Sequence, residues 1–459
     1  MKIQSIKLRH CYHFSDLNVE FNYAKQPITL ILGDQSTGKT AIIKNIYQAL
    51  TWFPARFKDS RTAGVVMLDA DIKKECIKST IEVNVEIPTE IGVLSERLDT
   101  QENNANLCSW TLFKTITANG LGHSKVDTAQ LEQLAEMYHK IMREDPLQGL
   151  PLIAYYPSDR FVNETNLLTK NNPAVFQNHS AYENVAISYT TFARFFEWLR
   201  EITDIENAQT SHLLQQLLFN EKQNQLDGRD AHTDGLSQKL LAAHAQMHAP
   251  SMEALKIALN IVFPDLSDLF IEYLPKLQLM VTFKDQTVPF FQLSNSMRNW
   301  IALVGDVVRR LCLLNPNQLY PCLEGDGILL IDNIDAQLDK DMTQNILNKL
   351  HQAFPRIQII ATGTSEDLLE YAQDYQYLKL EQKKLISVDL STQNNDFDLL
   401  FQNLLQHIEP VENELALEPE NLSLDAQSMF EQFQVMSPEQ QNNFLQLIHN
   451  GERVSIAKI

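Results

Sequence analysis

The sequence is poor in cysteine, and its cysteines do not stand in any pattern that forms a site. There are five of them, an odd number, and no two form a CxxC pair. We therefore expect neither a disulfide framework nor a cysteine zinc site. An odd number of unpatterned cysteines is typical of reduced thiols in a cytosolic chain. The 12 histidines show no HExxH or other metal-ligand spacing, and no Ser-His-Asp set or acidic nuclease cluster is identifiable. We therefore expect no nuclease in this chain.

Positive charge and long apolar runs are also scarce. Lys and Arg number 38 against 58 Asp and Glu, which gives a net charge of −20. Tight binding to nucleic acid needs a basic surface, so DNA is not a favoured partner, although a local basic patch stays open. No apolar run approaches the roughly 20 residues that span a bilayer, and the charged, alternating start "MKIQSIKLRH" is unlike a signal peptide. We expect a cytoplasmic protein with no membrane partner.

The length and patterning predict an α/β fold. The 459 residues, 44% of them hydrophobic, suffice for two or three domains. Buried-strand patterns such as "PITLILG" and "GILLID" alternate with helical patterns at both ends of the chain, while the middle reads as several short helices. The acidic stretch 409–425 has no basic residue and predicts a linker, followed by a short helix.

Four segments follow from this pattern. We expect residues 1–160 and 266–392 to form the two halves of an α/β core with a mixed sheet, residues 161–265 to form an inserted helical lobe, and residues 393–459 to form an acidic linker and helical tail. Within the lobe, the aromatic stripe "FARFFEWLREI" is interpreted as packed core and not as a base-stacking platform. The pair Arg309 and Arg310 is interpreted as a solvated face or a dimer contact.

The strongest motif is "GDQSTGKT", which fits the phosphate-loop pattern GxxxxGK[ST]. It lies between a buried-strand pattern and a helical pattern, which is the context that such a loop requires. Its predicted nucleotide-binding residues are Gly33, Asp34, Gln35, Ser36, Thr37, Gly38, Lys39 and Thr40. The glycines let backbone N–H groups converge on phosphate oxygens, Lys39 reaches the β and γ phosphates, and the Thr40 hydroxyl ligates Mg²⁺.

The segment "GILLID" ends in Asp332, almost 300 residues later. A carboxylate that emerges from a buried strand beside the phosphate loop is the usual second ligand of Mg²⁺. The expected cofactors are therefore ATP and Mg²⁺, with Thr40 and Asp332 as the metal ligands.

Together these motifs resemble the ABC-type ATPases of the RecF/SMC kind, and among them the AAA-like ATP-binding proteins of bacterial anti-phage and retron-associated modules. The resemblance covers residues 1–392. It is carried by "SIKLRHCYHFSDLNVEF", "GDQSTGKTAIIKNIYQALTWFPARF", "LPLIAYYPSDR", "QLSNSMRNWIALVGDVVRRLCLLNP", "LEGDGILLIDNIDAQLD" and "QIIATGTSEDLL". It implies an ABC-ATPase head, a nucleotide-dependent homodimer or higher oligomer, and an effector protein partner.

Several positions depart from the pattern that the resemblance implies. The signature Leu-Ser-Asp-Gly-Glu reads "LSNSM" here, so Ser294 is kept as a nucleotide contact across the dimer while Ser296 replaces the glycine. The Walker B glutamate, which orients or deprotonates the attacking water, is Asn333. The switch histidine is Thr364.

Two further segments bear on the resemblance. The early Asn-Phe-Arg segment is "HCY" at residues 10–12. Asp339 matches the D-loop aspartate.

These departures predict that the chain binds ATP with Mg²⁺ and hydrolyses it slowly or not at all. The predicted catalytic positions are Asp332, Asn333 and Thr364. Another carboxylate such as Asp335 stays open as a substitute for the lost glutamate. The alternative functions are an active ATPase that acts on DNA in repair, and a scaffold without nucleotide.

Overall fold

The computed structural model describes residues 1–22, 25–94, 106–117, 122–162, 178–182, 192–226 and 250–388. All of them belong to one compact unit, Met1–Gln393. The predicted acidic linker and tail helix lie outside the described residues.

The strands follow the sequence patterns closely. In chain order they are β1 Lys2–Cys11, β2 Phe14–Glu20, β3 Ile28–Leu32, β4 Lys78–Glu86, β5 Leu107–Ile116, β6 Gly122–Asp127, β7 Leu152–Tyr156, β8 Leu266–Glu272, β9 Gln278–Phe283, β10 Gln286–Pro289, β11 Gly327–Ile331, β12 Ile357–Gly363, β13 Gln376–Glu381 and β14 Lys384–Val388. The helices are α1 Lys39–Leu50, α2 Trp52–Lys58, α3 Ala129–Glu144, α4 Ala193–Leu226, α5 Pro250–Val262, α6 Asn295–Leu314, α7 Pro321–Glu324 and α8 Lys340–Ala353.

A six-stranded sheet forms the centre of the fold, in the order β14-β13-β3-β12-β11-β7. All its pairings are parallel except that of β13 with β14. Strands β3, β11 and β12 are buried along their whole length, because their continuous apolar runs are covered on both faces. The predicted α/β fold with a mixed sheet is confirmed, and its parallel strands bring their carboxyl ends to one edge.

A second sheet is antiparallel, in the order β2-β1-β4-β5-β6, with the predicted β1–β2 pair at its edge. Its β4 strand alternates between buried and partly exposed residues, so that one face turns to the core. The indole N–H of Trp110 on β5 donates to the carbonyl oxygen of Ala49 on α1, at 2.9 Å. The antiparallel sheet thus packs on the helix that follows the phosphate loop. A third sheet holds β10, β9 and β8.

The prediction of several short helices is wrong for residues 193–226, which form one helix of 34 residues. The intervening segment "TDIENAQT" contains neither proline nor glycine, so nothing in it ends the helix. The interpretation of the aromatic stripe is confirmed, because Phe195, Phe196 and Trp198 are all buried in the hydrophobic core. Among the described residues, no helix is long and apolar enough to cross a membrane.

The interpretation of Arg309 and Arg310 as a solvated face or dimer contact is also wrong. Both guanidinium groups are buried on α6 and donate through Nε to the carboxylate of Asp306, each at 2.8 Å. Tyr156, the last residue of β7, donates its hydroxyl to the same carboxylate at 2.8 Å. Burial alone would raise the pKa of Asp306, but the two guanidinium groups outweigh it and hold that pKa well below its usual range. The i, i+3 and i, i+4 spacing on one helix is the sequence signal for this ion triad.

Candidate functional site

The phosphate loop joins β3 to α1, as the motif predicts. Ser36 and Gly38 have positive φ angles of 63° and 109°, and Gly38 lies directly before the first residue of α1. A Cβ atom on Gly38 would lie 2.9 Å from the ring of Phe14, and one on Gly33 would lie 2.8 Å from the carbonyl oxygen of Leu380. Both glycines are therefore needed for the path of the loop. The N–H groups of the first turn of α1 have no partners within the helix, which suits an anion.

Lys39 is buried within the site, with only 8% of its surface exposed. Its Nζ donates to the carbonyl oxygens of Gly33 and Asp34, so it lies inside the curve of the loop. Burial lowers the pKa of Lys39, while the carboxylates of Asp335, Asp332 and Asp34 act in the opposite direction. The carboxyl ends of β3 and β11 therefore bring the lysine and the acidic residues to one edge of the sheet, as predicted.

Asp332 directly follows β11 and is 1% exposed. Its Oδ1 accepts a hydrogen bond of 2.6 Å from the hydroxyl of Thr362, whereas its Oδ2 has no hydrogen-bond partner among the residues that the structure describes. A buried carboxylate oxygen without a donor is unfavourable unless a cation pairs with it. Thr40 is exposed in the first turn of α1. Oxygen ligands of these two kinds fit Mg²⁺, so the residues present are compatible with the predicted metal.

Asn333 has a left-handed backbone, with φ 51°. Its N–H donates to the Thr362 hydroxyl at 2.9 Å, and its carbonyl oxygen accepts from Arg160 at 3.0 Å. Asparagine adopts this conformation more readily than most residues, because its short polar side chain stabilises it locally. Asn333 is therefore suited to its backbone conformation.

Thr364 lies beside Asp335 at the end of β12. Its N–H and its hydroxyl both donate to Oδ2 of Asp335, each at 2.8 Å, and the N–H of Ser365 donates to the same atom at 2.6 Å. Thr364 is thus held by Asp335, the carboxylate that the sequence analysis keeps open as a substitute for the glutamate. Oδ1 of Asp335 is buried and has no hydrogen-bond partner in the described part of the chain.

Arg160 was missed by the motif analysis, although it lies in the quoted segment "LPLIAYYPSDR". It is 7% exposed, and its guanidinium donates to the carbonyl oxygens of Pro157, Asp332 and Asn333. The guanidinium also lies over the ring of Trp300 on α6, 5.5 Å from its centroid. Burial lowers the pKa of Arg160 to about 10, against the opposing effect of Asp332 and Asp335. The only sequence signal for Arg160 is that it lies in one of the segments that carry the resemblance to the ATPase family.

The signature segment begins α6. Ser294 caps the helix, since its hydroxyl oxygen accepts from the N–H of Met297 at 3.2 Å. The hydroxyl of Ser296 donates to the carbonyl oxygen of Gln337, and the side chain of Asn299 donates to that of Gln337 at 3.2 Å. The signature segment is therefore tied to the segment after Asp332 within one chain. Within the described ranges, no hydrogen bond joins Ser294 to the phosphate loop.

Two further predicted positions have structural partners. Asp339 caps α8 by accepting from the N–H of Met342 at 2.8 Å. The hydroxyl of Tyr12, in the "HCY" segment, donates to the buried carboxylate of Asp71 at 2.5 Å, and Cys11 is buried beside Ser79. Asp339 thus has a local role as a helix cap, whereas Cys11 and Tyr12 contact residues that are distant in the sequence.

The chain is similar to one protein family and to several known proteins. A family model described as an AAA domain matches residues 5–247. The chain is 24% identical over 393 residues to the retron Ec83 probable ATPase of Escherichia coli, covering 80% of this chain and 69% of that protein. It is 24% identical over 446 residues to the retron Vc95 probable ATPase of Vibrio cholerae serotype O1 biovar El Tor, and this match covers 92% of this chain and 82% of that protein.

Solved structures similar to this chain include two SMC heads. One is an SMC head bound to the C-winged helix domain of ScpA, with a TM-score of 0.45 at 10% identity, covering 86% of this chain and 100% of that one. The other is the Pyrococcus furiosus SMC head with an extended coiled coil, bound to the C-terminal domain of ScpA. Its TM-score is 0.44 at 13% identity, and the match covers 87% of this chain and 99% of that one. The resemblance to retron-associated ATPases that the motifs indicate is confirmed by the family match and by the two sequence relatives.

Proposed function

Since the chain belongs to the AAA domain family, we propose that it binds ATP with Mg²⁺ and uses the bound nucleotide to join two or more copies of itself. The observation that carries this proposal is the buried Asp332 carboxylate, which has one oxygen without a donor and acts electrostatically on Lys39 of the phosphate loop. An uncompensated carboxylate beside such a loop is what a Mg²⁺·nucleotide site requires.

Different residues of the chain bind different parts of the Mg²⁺·nucleotide complex. The N–H groups at the start of α1 and the Lys39 ammonium bind phosphate oxygens, and Thr40 and Asp332 hold the metal ion. A Mg²⁺ ion held by these residues would neutralise charge on the phosphates. Thr362 orients Asp332 through its hydroxyl, and Arg160 fixes the backbone on which Asp332 and Asn333 lie.

Hydrolysis is proposed to be slow. A neutral asparagine can orient a water molecule but cannot take its proton, and Thr364 has no ring nitrogen with which to contact the γ phosphate. A protein that binds ATP and hydrolyses it slowly remains in its nucleotide-bound state for a long time. That property suits a component that holds a partner and releases it on a signal.

The two sequence relatives are named as probable ATPases of retrons. Their similarity supports a place for this chain in a bacterial retron-type defence module, where an effector protein is the partner that the nucleotide-bound assembly holds. This cellular role rests on the likeness to those relatives, whereas nucleotide binding rests on the site itself.

A substitution at Ser294 tests the assembly. Ser294→Asp keeps a good helix cap, but it places a carboxylate where the γ phosphate of the partner copy's nucleotide would bind. We expect ATP-dependent dimers or higher oligomers to be lost, while each copy still binds ATP, as measured by sedimentation velocity and native mass spectrometry.

Ser294→Asn is the matched control, because it also caps the helix but is neutral, and it should assemble far better than the aspartate variant. An oligomeric state that ignores both ATP and the Ser294→Asp change would refute the sandwich arrangement of two sites.

The change Asn333→Glu tests the cause of slow hydrolysis. General-base assistance is worth about 10² to 10⁴ in rate, so a restored glutamate should raise steady-state phosphate release. We expect a gain of less than about tenfold, because glutamate is strained at φ 51°, at a cost of roughly 1–2 kcal/mol, and Ser296 and Thr364 stay unchanged.

The triple change Asn333→Glu, Ser296→Gly, Thr364→His should exceed the single one. Fast phosphate release by the wild type, lost in Lys39→Ala, would contradict the proposal of slow turnover.

A further inference from the structure

Asp335 is the second acidic side chain at the carboxyl edge of β11, three residues after Asp332. Its two carboxylate oxygens have different surroundings. Oδ2 accepts three hydrogen bonds, from the N–H and hydroxyl of Thr364 and from the N–H of Ser365, at 2.6 to 2.8 Å. Oδ1 is buried and has no donor among the described residues. The carboxylate is therefore held in one orientation by one oxygen, while the other oxygen is left free to accept.

Asp335 lies at the same edge of the sheet as the phosphate loop, because its partner Thr364 follows Gly363, which pairs with Leu32 directly before Gly33. Of the carboxylates that act on Lys39, Asp335 has the largest effect, ahead of Asp332 and Asp34. A Cβ atom at position 363 would lie 3.3 Å from Oδ1 and would also clash with the side chain of Leu368, so glycine is needed where the Asp335 carboxylate packs against β12. A buried acceptor without a donor is unfavourable, and a water molecule held beside bound nucleotide would satisfy it.

The other acidic groups near Lys39 are less suited to hold that water. Asp332 is the proposed metal ligand, and Asp34 is exposed on the loop itself. Asn333 cannot accept a proton, and its backbone is held by Thr362 and Arg160. Asp335 thus provides a carboxylate close to the position where the family pattern has its glutamate.

We propose that Asp335, oriented by Thr364 and Ser365, positions the attacking water for slow ATP hydrolysis in place of Asn333. This inference rests on the proposed nucleotide site. The water oxygen forms a bond to the γ phosphorus, the bond from that phosphorus to the bridging oxygen breaks with its electron pair leaving on ADP, and the water proton passes to Asp335.

Asp335→Asn tests the role of the carboxylate. The asparagine side-chain oxygen can accept the same three hydrogen bonds, so the switch segment should keep its position. We expect phosphate release to fall at least about tenfold, within the range attributed to general-base assistance, while ATP with Mg²⁺ still raises the unfolding temperature. Asp341→Asn is the matched control, because Asp341 is exposed on the first turn of α8 outside the site, and its rate should equal that of the wild type.

Asp335→Glu keeps the charge but moves the carboxylate by one methylene. It should release phosphate at a rate between those of the wild type and the asparagine variant, since misplacement of a reacting group is costly. If Asp335→Asn does not fold, the glutamate variant decides: a rate at least about threefold below the wild type supports the proposal, and an unchanged rate overturns it.

Other results would also overturn the role of Asp335. They are an unchanged rate in Asp335→Asn, loss of ATP-dependent stabilisation in that variant, or wild-type phosphate release no higher than that of Lys39→Ala. Each of these leaves the proposed nucleotide binding of the wild type intact. Failure of the proposed function is a separate outcome, namely no stabilisation of the wild type by ATP with Mg²⁺.

Discussion

Lys39→Ala is expected to abolish the stabilisation of this protein by ATP with Mg²⁺. The Lys39 ammonium lies inside the phosphate loop and donates to the loop carbonyls of Gly33 and Asp34, so its removal leaves the strand and helix packing in place. A ligand at 100 times its Kd stabilises the folded state by about 2.7 kcal/mol. We expect that gain to disappear in thermal unfolding measured with and without ATP and Mg²⁺.

Lys44→Ala is the matched control for this experiment. Lys44 is exposed on the same helix, α1, and carries the same charge, but it lies beyond the loop. Its variant should be stabilised by ATP as the wild type is. If the wild type gains no stability from ATP, or if Lys39→Ala gains as much as the wild type, the proposed nucleotide site is wrong.

Asp306→Asn is expected to cause the largest loss of stability. The change removes the one carboxylate that pairs with the buried guanidinium groups of Arg309 and Arg310, and it sets an amide N–H₂ against their donors. Removing one partner of a buried ion pair typically costs 3–5 kcal/mol, because the remaining charge stays buried and uncompensated. We expect a loss of at least about 3 kcal/mol in the free energy of unfolding, measured by urea denaturation at pH 7.

An exposed ion pair on the same fold supplies the control. Lys256 and Asp268 are 47% and 40% exposed, and exposed pairs contribute about 0–1 kcal/mol, so Asp268→Asn should have little effect. Because the pKa of Asp306 is lowered in the folded state, its contribution is present above the unfolded pKa and is lost as pH falls. The difference between the wild type and Asp306→Asn should therefore begin to narrow below about pH 4. Equal effects of the two substitutions at pH 7 would show that the triad is not a stabilising unit.

The triad matters for function because of what it joins. Its arginines lie on α6, the helix that begins with the signature segment, and also donate to the carbonyl oxygens of Ser180 and Ala181. Tyr156, its hydroxyl partner, ends β7, and the Tyr156 carbonyl oxygen accepts from the N–H of Asp332 at 2.9 Å. Helix α6 and the end of β11, where Asp332 lies, are thus connected through one buried cluster.

Most of the phosphate loop and the strand before Asp332 could be predicted from the sequence alone. A run of apolar residues can only be a strand covered on both faces or a buried helix, and glycines at fixed spacing leave few paths for the chain. The same local rules failed at α4, where the sequence predicts several short helices although the polar segment between them contains no helix-ending residue.

The surroundings of the charged side chains could not be predicted in this way. Arg309 and Arg310 resemble a solvated pair in the sequence, and Arg160 has no motif of its own, yet all three are buried. The reason is that a charge is stabilised by partners in space. Those of Arg160 come from the ends of β7 and β11 and from α6, which are far apart in the chain.

The sequence by itself determined the fold class and the phosphate loop, and it predicted the metal-binding aspartate and the replacement of the glutamate and histidine, because each depends on residue type and local spacing. Only the tertiary structure decided that Thr364 meets Asp335, that one oxygen of each of Asp332 and Asp335 lacks a donor, and that Asp306 neutralises two arginines. These contacts form because strands and helices that are distant in the sequence converge at one edge of the sheet. A buried polar group there is costly unless it has a partner.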